Sequence, residues 1–450
     1  MTLETMIKRY FITSFQSNAH VNNVVLNTLQ KILMPELGIP EDNLYMIKLP
    51  GKTIIENETP KSLYSYNVIE SDVKLSSKFK ISNFSVKPQQ IRPFTGLDAF
   101  TRNDGSFVFG SPKQYFKSIP THNKKFPKAL YTTGIITYPN YAEQHRVGMI
   151  AHKDHTYGGL YVEVNDKSRI YHARHITFSE KGVCYDLGKK FSRDGIETVR
   201  PEALVLGDWH TLDTDKQSRK LAFEMIKDYK PKKIVLHDFF NGGSINHHEQ
   251  GKLIDQVFSY NENKLNLEKE LKAVAEELHY FVMNTSKDSK IYIVKSNHDE
   301  FLYTYLNSAR FIYEPQNAYI ASKLLTKAFE GKDPLVEGIK MFYDFPDKVV
   351  FLTDDDSLRV GKWELGKHGH KGVHGAKGST RSYEKATPFQ ISGHKHTPEK
   401  ERHQIVVGTN TILNPRYTHG GLSGWMCANA LVYKSNFAQL ITAINGKYQF

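Results

Sequence analysis

Five short polar motifs stand out in the C-terminal half of this 450-residue chain: GDWH at 207–210, HDFFNG at 237–242, SNHDE at 296–300, HGH at 368–370 and GHKH at 393–396. Asp208 and His210 are two positions apart, as are His394 and His396. In extended backbone the two side chains of such a pair leave the same face, so both can reach one ion. Asp238, Asn297 and His368 add a carboxylate, an amide oxygen and an imidazole. Such a donor mixture suits Mn, Fe or Zn, and the lack of cysteine among the donors argues against a closed structural zinc site. We therefore read Asp208, His210, Asp238, Asn297, His368, His394 and His396 as ligands of a catalytic metal centre.

Something rigid must deliver these groups. The apolar run ALVL ends at Gly207–Asp208, a helical stretch follows with Leu221, Met225, Ile226 and Tyr229 on one face, and IVLHD comes next, which is the pattern of a βαβ unit. A second predicted helix carries Leu267, Leu271, Val274, Leu278 and Phe281 on one face and leads into IYIVKSNHD. Three strands thus bring polar residues to their C-terminal ends, the rim where ligands bind in open α/β sheets. Upstream, residues 9–51 read as strand, helix and strand, with Val21, Val25, Leu29 and Ile32 on one helical face. Residues 52–130, rich in Ser, Lys, Asn and Pro, are expected to hold long loops with short β pieces. From 131 onward ALYTTGIIT, GLYVEV, RIYHARHITF and GVCYDL predict a β-meander, with one turn at Asn165–Asp166–Lys167–Ser168. The polar segment 189–203 sets a domain boundary near 198, dividing an N-terminal α/β domain (1–198) from a C-terminal one (199–450).

In their order and composition the five motifs resemble those of the calcineurin-like metallophosphoesterases, DxH, GDxx, GNHD or GNHE, HG and GHxH. The resemblance covers about 208–396 by motif and implies, for 199–450, a sandwich of two mixed β-sheets flanked by helices. It further implies that Asp208, His210 and His396 hold a first metal, that Asn297, His368 and His394 hold a second, and that Asp238 bridges them. His298 would stabilise the transition state or protonate the leaving oxygen, with Asp299 orienting its ring. Two divalent ions about 3.5–4 Å apart, most readily Mn2+ with Mg2+, Fe2+ or Zn2+ as alternatives, would hydrolyse a phosphodiester with a bridging hydroxide. Two departures from the pattern stand at His237 and Ser296, where the family has glycine. HDFFNGGSINHH, SNHDEFL, HGHKGVHGAKGS and ALYTTGIITYPNY extend the resemblance to a phage-encoded subgroup, the DNA-degrading pre-early proteins of T-five-type phages, and more distantly to the SbcD break-repair nucleases. The implied activity is a DNase, with a phosphatase or nucleotide phosphodiesterase as the alternative within the superfamily. A non-catalytic nucleic-acid-binding relic would be free to lose Asp238 or His298, and this chain keeps both.

Sixty Lys and Arg against 48 Asp and Glu give a formal charge of +12, which is compatible with a polyanionic partner such as DNA. The basic, glycine-rich stretch HGHKGVHGAKGSTRS can form an anion nest, so Lys371, Lys377 and Arg381 are candidate phosphate contacts, as are His247 and His248 after the Asp238 motif. His145, His152, His155, His172 and His175 lack carboxylates at chelating spacing and read as surface or hairpin-pairing residues. The 51 Tyr and Phe residues are mostly core by frequency. With only Cys184 and Cys427, no disulfide framework is expected, and a reducing cytoplasm fits, that of the host for a phage-encoded protein. Neither a secretory signal nor a run of about 18 apolar residues is apparent. For residues 1–198, substrate gating and homo-oligomer formation are both compatible with the pattern.

Overall fold

The computed structural model describes residues 7–50, 58–102, 105–122, 127–165, 167–376 and 379–450. The site-bearing sheet has six strands in the order Val349–Phe351, Lys290–Ile293, Lys233–Leu236, Ala203–Val205, Cys427–Val432, Ala438–Ala443. Its first four strands are mutually parallel, and Cys427–Val432 runs antiparallel to Ala203–Val205. Alternate residues serve different cores. Leu204, Ile234, Leu236, Ile291 and Ile293 pack against helices, whereas Ala203, Val205 and Val235 face a second apolar layer. Burial on both faces explains why these strands read as continuous apolar runs rather than as alternating ones.

The helical layer follows the predicted spacing. Helix Lys216–Tyr229 buries Leu221, Ala222, Met225 and Ile226, and helix Leu267–Asn284 buries Leu271, Val274, Leu278 and Phe281. Both begin at side-chain caps, Asp215 accepting from the Gln217 and Ser218 N–H groups and Asn266 from that of Lys269. On the opposite face lies a ten-stranded sheet, contributing Phe79, Ile81, Val108, Phe116, Ile391 and Ile405 to the shared core.

This large sheet bears out one expectation and corrects another. Residues 52–130 hold short strands joined by loops, and the β pieces Phe79–Ser85 and Ser106–Gly110, with Tyr115–Ile119, lie within the sheet. The segments after 131 do not form one meander. Lys128–Thr132 joins the ten-stranded sheet, the hairpin Gly158–Asn165/Ile170–Thr177 belongs to a five-stranded sheet with Ile7–Gln16 and Leu44–Leu49, and Cys184–Asp186 starts a three-stranded one. Strand alternation reports which face is buried and says nothing about the partner strand, so neighbours in sequence are free to pair elsewhere. The large sheet also crosses position 198, because Glu399–Glu401 pairs antiparallel with Tyr115–Ile119. The turn after Gly158–Asn165 forms as expected, with Asn165 Oδ1 accepting from the Lys167 and Ser168 N–H groups. Cys184 and Cys427 are buried free thiols, and among the described residues no helix is long and apolar enough to cross a membrane.

Phe281 is fully buried against Trp209 and Phe223, with ring centroids at 4.9 and 4.7 Å. Its replacement by Ala should cost about 3–5 kcal/mol, read from the shift in a urea unfolding curve. A loss under about 1 kcal/mol would place Phe281 outside the core.

Candidate metal centre

The first two motifs leave neighbouring parallel strands side by side. The Trp209 N–H donates to the His237 carbonyl at 2.9 Å and the His210 N–H to that of Asp238 at 2.7 Å, while the Asp208 N–H donates to Gly408 at 3.1 Å. Trp209 turns into the helical core, whereas Asp208 and His210 on either side of it join the donor cluster. Gly393 permits the last motif to approach, since a Cβ built there would lie 2.1 Å from Asp208 Oδ1. His210, Asp238, His394 and His396 have φ of 45°, 45°, 74° and 56°, in the left-handed region. That conformation costs a non-glycine residue on the order of 1–3 kcal/mol and persists where the surroundings impose it, typically at functional sites.

Asp208, His210, Asp238 and His396 are all buried, and each offers a donor atom within 4.8 Å of the others. His396 Nε2 lies 3.2 Å from Asp208 Oδ2 and 3.0 Å from His210 Nε2, and His210 Nε2 lies 3.4 Å from Asp238 Oδ2. A second group meets the same carboxylate: His368 Nε2 is 3.2 Å from Asp238 Oδ2 and 3.2 Å from Asn297 Oδ1, which in turn is 3.0 Å from His394 Nδ1. All seven residues singled out in the sequence therefore converge, with Asp238 between the two groups. Asp208 Oδ2 and Asp238 Oδ1 are buried and hydrogen-bonded to nothing in the protein. Unsatisfied carboxylate oxygens among imidazole nitrogens are a donor set that fits a divalent cation, so this cluster could hold a metal ion.

Asn241, which the sequence reading quoted in HDFFNG without giving it a role, organises the rim. Its Nδ2 donates to Asp213 Oδ2 at 2.8 Å, which turns Oδ1 toward His210 Nδ1 at 3.1 Å. His210 must then carry its proton on Nδ1 and present the Nε2 lone pair to the centre. The Asn241 carbonyl also accepts from His298 Nδ1, at 2.5 Å. Asp299 does not orient the His298 ring as expected. It accepts from the Ser296 N–H at 2.9 Å and closes the turn that opens helix Asp299–Asn307, because a carboxylate at that position reaches the free backbone donors before it. His237, next to Asp238, packs with Nδ1 3.4 Å from His368 Nδ1.

The electrostatics follow from burial. Desolvation, aided by the Asp238 charge, pushes the Asp208 carboxyl up to about 8. Desolvation would raise Asp238 too, but His368, His298 and His210 outweigh it and hold that carboxyl well below its usual range. Burial drives His210 well below the ordinary imidazole value and His396 down to about 4, leaving both neutral as ligands must be. For His368 burial is outweighed by Asp238 and Asp208, which push the ring up to about 9.

The expected substrate contacts fare unevenly. The His247 and His248 rings lie tilted against each other with centroids 4.0 Å apart and meet Phe301 edge-on, and the Phe301 ring lies 4.7 Å from that of His298, so they flank the centre. Lys371 is engaged by Glu300 and by Asp354 at 2.5 and 2.8 Å, and those carboxylates compete with any phosphate. Arg381 lies on helix Thr380–Ala386, and Lys377 falls outside the described residues. His370 was missed: it is held beside the centre, its ring 5.4 Å from His368 and 6.2 Å from His394. The N-terminal histidines do not assemble into a donor cluster among the described residues. His172 and His175 are hairpin-pairing residues, opposite Glu163 and Leu160 in Gly158–Asn165/Ile170–Thr177, and both are buried, His175 Nε2 lying 2.7 Å from the Thr132 carbonyl.

Two outcomes follow. Both Asp208 and His368 hold protons at pH 7 in the cation-free protein, since both values lie above 7. Divalent binding must displace them, so calorimetry in buffers of differing ionisation enthalpy should report release of about two protons per chain at pH 7, falling toward none above pH ~10. Substituting Asn241→Leu removes the acceptor of His210 Nδ1 and should weaken cation affinity about 10- to 100-fold in chelator competition, with far-UV circular dichroism unchanged.

The chain is 25% identical over 468 aligned positions to Protein A1 of Escherichia phage T5, an alignment that covers 98% of this chain and 83% of the relative. No family model and no solved structure matches it.

Proposed function

We propose that the chain is a two-cation phosphodiesterase of the calcineurin-like metallophosphoesterase type, acting on DNA in the cytoplasm of a phage-infected cell. The observation that carries this reading is the position of Asp238, whose Oδ2 lies 3.4 Å from His210 Nε2 on one side and 3.2 Å from His368 Nε2 on the other. Asp208, His210 and His396 would hold one cation, Asn297, His368 and His394 the other, and Asp238 both. Bound there, the cations would supply Lewis acidity to a phosphoryl oxygen and activate the attacking water. The protein's own part is orientation and proton transfer. His298 is tethered through Nδ1–H to the Asn241 carbonyl, which leaves Nε2 as the atom that exchanges protons: as the imidazolium it would give its Nε2 proton to the departing oxygen and be left as the neutral Nδ1–H ring. Its ring centroid is 4.5 Å from that of His210, which sets it at the edge of the donor cluster. The charge of +12 and the similarity to a phage protein support a nucleic-acid substrate over a small phosphomonoester.

Incubation of the purified chain with linear and with circular DNA in Mn2+, Mg2+ or chelator tests the proposal. Degradation should require a cation, fall below detection in Asp238→Asn, and drop about 10²–10⁴-fold in His298→Ala. Full activity in both variants would sink it. Hydrolysis of p-nitrophenyl phosphate or cyclic nucleotides with DNA left intact would move the assignment to a phosphatase or nucleotide phosphodiesterase.

A further inference from the structure

A cavity of about 270 Å³, with none of the seven donor residues in its walls, is lined by Gln114, Trp363, Phe389, Lys400, Arg402 and His403, among others. Lys400 sits on the strand Glu399–Glu401, which joins the two halves of the ten-stranded sheet, and only 6% of it is exposed. Its ammonium donates to Gln114 Oε1 at 3.0 Å, and among the described residues no carboxylate pairs with it. Gln114 has no charge to offer, and its Oε1 already accepts from Thr177 Oγ1 at 2.6 Å. Asp154, whose charge reaches His403, is taken by Lys113 at 2.8 Å and Arg402 at 3.2 Å. A buried cation that meets only a neutral partner is a cost that folding ordinarily avoids, unless an anion from solution completes it. Burial pushes the Lys400 ammonium down to about 7, which an anion in the cavity would reverse.

The remaining walls show what should carry that anion. Phe389 and His403 are stacked, with centroids 4.0 Å apart and planes within 11°, and Trp363 meets Phe389 edge-on at 5.4 Å. Such surfaces receive planar rings. We propose that this cavity binds a small planar organic anion, its phosphate or carboxylate on Lys400 and its ring against the Trp363–Phe389–His403 wall. Hydrolysis of DNA would release one member of this class, a deoxynucleoside monophosphate. That identification rests on the function proposed above, whereas the anion site does not.

The test is equilibrium dialysis of the full chain in excess chelator, so that binding through divalent cations is removed, with dAMP, deoxyadenosine and benzoate as probes. Both anions should bind, and deoxyadenosine about tenfold or more weaker than dAMP. Lys400→Met should weaken both anions by at least about tenfold, while Asp238→Asn leaves their binding unchanged. Benzoate binding without dAMP would uphold the anion site and overturn the nucleotide identification. The site itself falls if neither anion binds, if deoxyadenosine binds as tightly as dAMP, or if Lys400→Met retains parental affinity. Should Lys400→Met fail to fold, the comparison of dAMP with deoxyadenosine in the parent decides.

Discussion

Two carboxylates, Asp208 and Asp238, share one buried pocket with three imidazoles, those of His210, His368 and His396, each within 4.0 Å of one of them. Both acids are fully buried, and each leaves an oxygen without a hydrogen-bond donor. Neither can ionise freely in the presence of the other unless positive charge is supplied, and without cations that charge comes from a protonated His368. Replacing a proton by a divalent ion answers the same electrostatic demand with more charge. The capacity of the cluster to hold a metal ion would thus follow from where the acids are buried, and the rest of the fold is what keeps them there.

Keeping them there takes a sheet buried on both faces. Leu204 and Val205 serve opposite cores, so the strand cannot slip by one residue without exchanging both apolar layers. Because the faces are occupied, polar groups are confined to the strand ends, and the ends of Ala203–Val205, Lys233–Leu236 and Lys290–Ile293 open on one rim. At that rim the backbone adopts left-handed φ at His210, Asp238, His394 and His396, a local strain held by packing on either side. Gly393 shows the tolerance: no side chain larger than hydrogen fits between the last motif and Asp208.

Much of this was legible in the amino-acid order, and the reasons differ by element. The helices Lys216–Tyr229 and Leu267–Asn284 carry apolar stripes and side-chain caps, both local signals. The convergence of these donor residues could be read because chelation demands particular residue types at particular spacings. What escaped reading was non-local. Pairing of Glu399–Glu401 with Tyr115–Ile119 joins positions nearly three hundred residues apart, and no periodicity reports that. Lys371 looked like a phosphate contact until Glu300 and Asp354 were found beside it, both distant in sequence or on another element. Asp299 sits next to His298 in the chain, yet the helix turn claims its carboxylate first.

The ten-stranded sheet has a practical corollary. The strand Tyr115–Ile119 lies in the middle of the sheet order, with Glu399–Glu401 on one side and Lys128–Thr132 on the other. Severing the chain near 198 would strip each fragment of a neighbour and bare a row of amide and carbonyl groups along the cut. Open edges of that kind recruit strands from other molecules. Halves produced separately should therefore precipitate or reassociate rather than persist as independent bodies, and any split or fused version of this protein is better designed around the intact sheet.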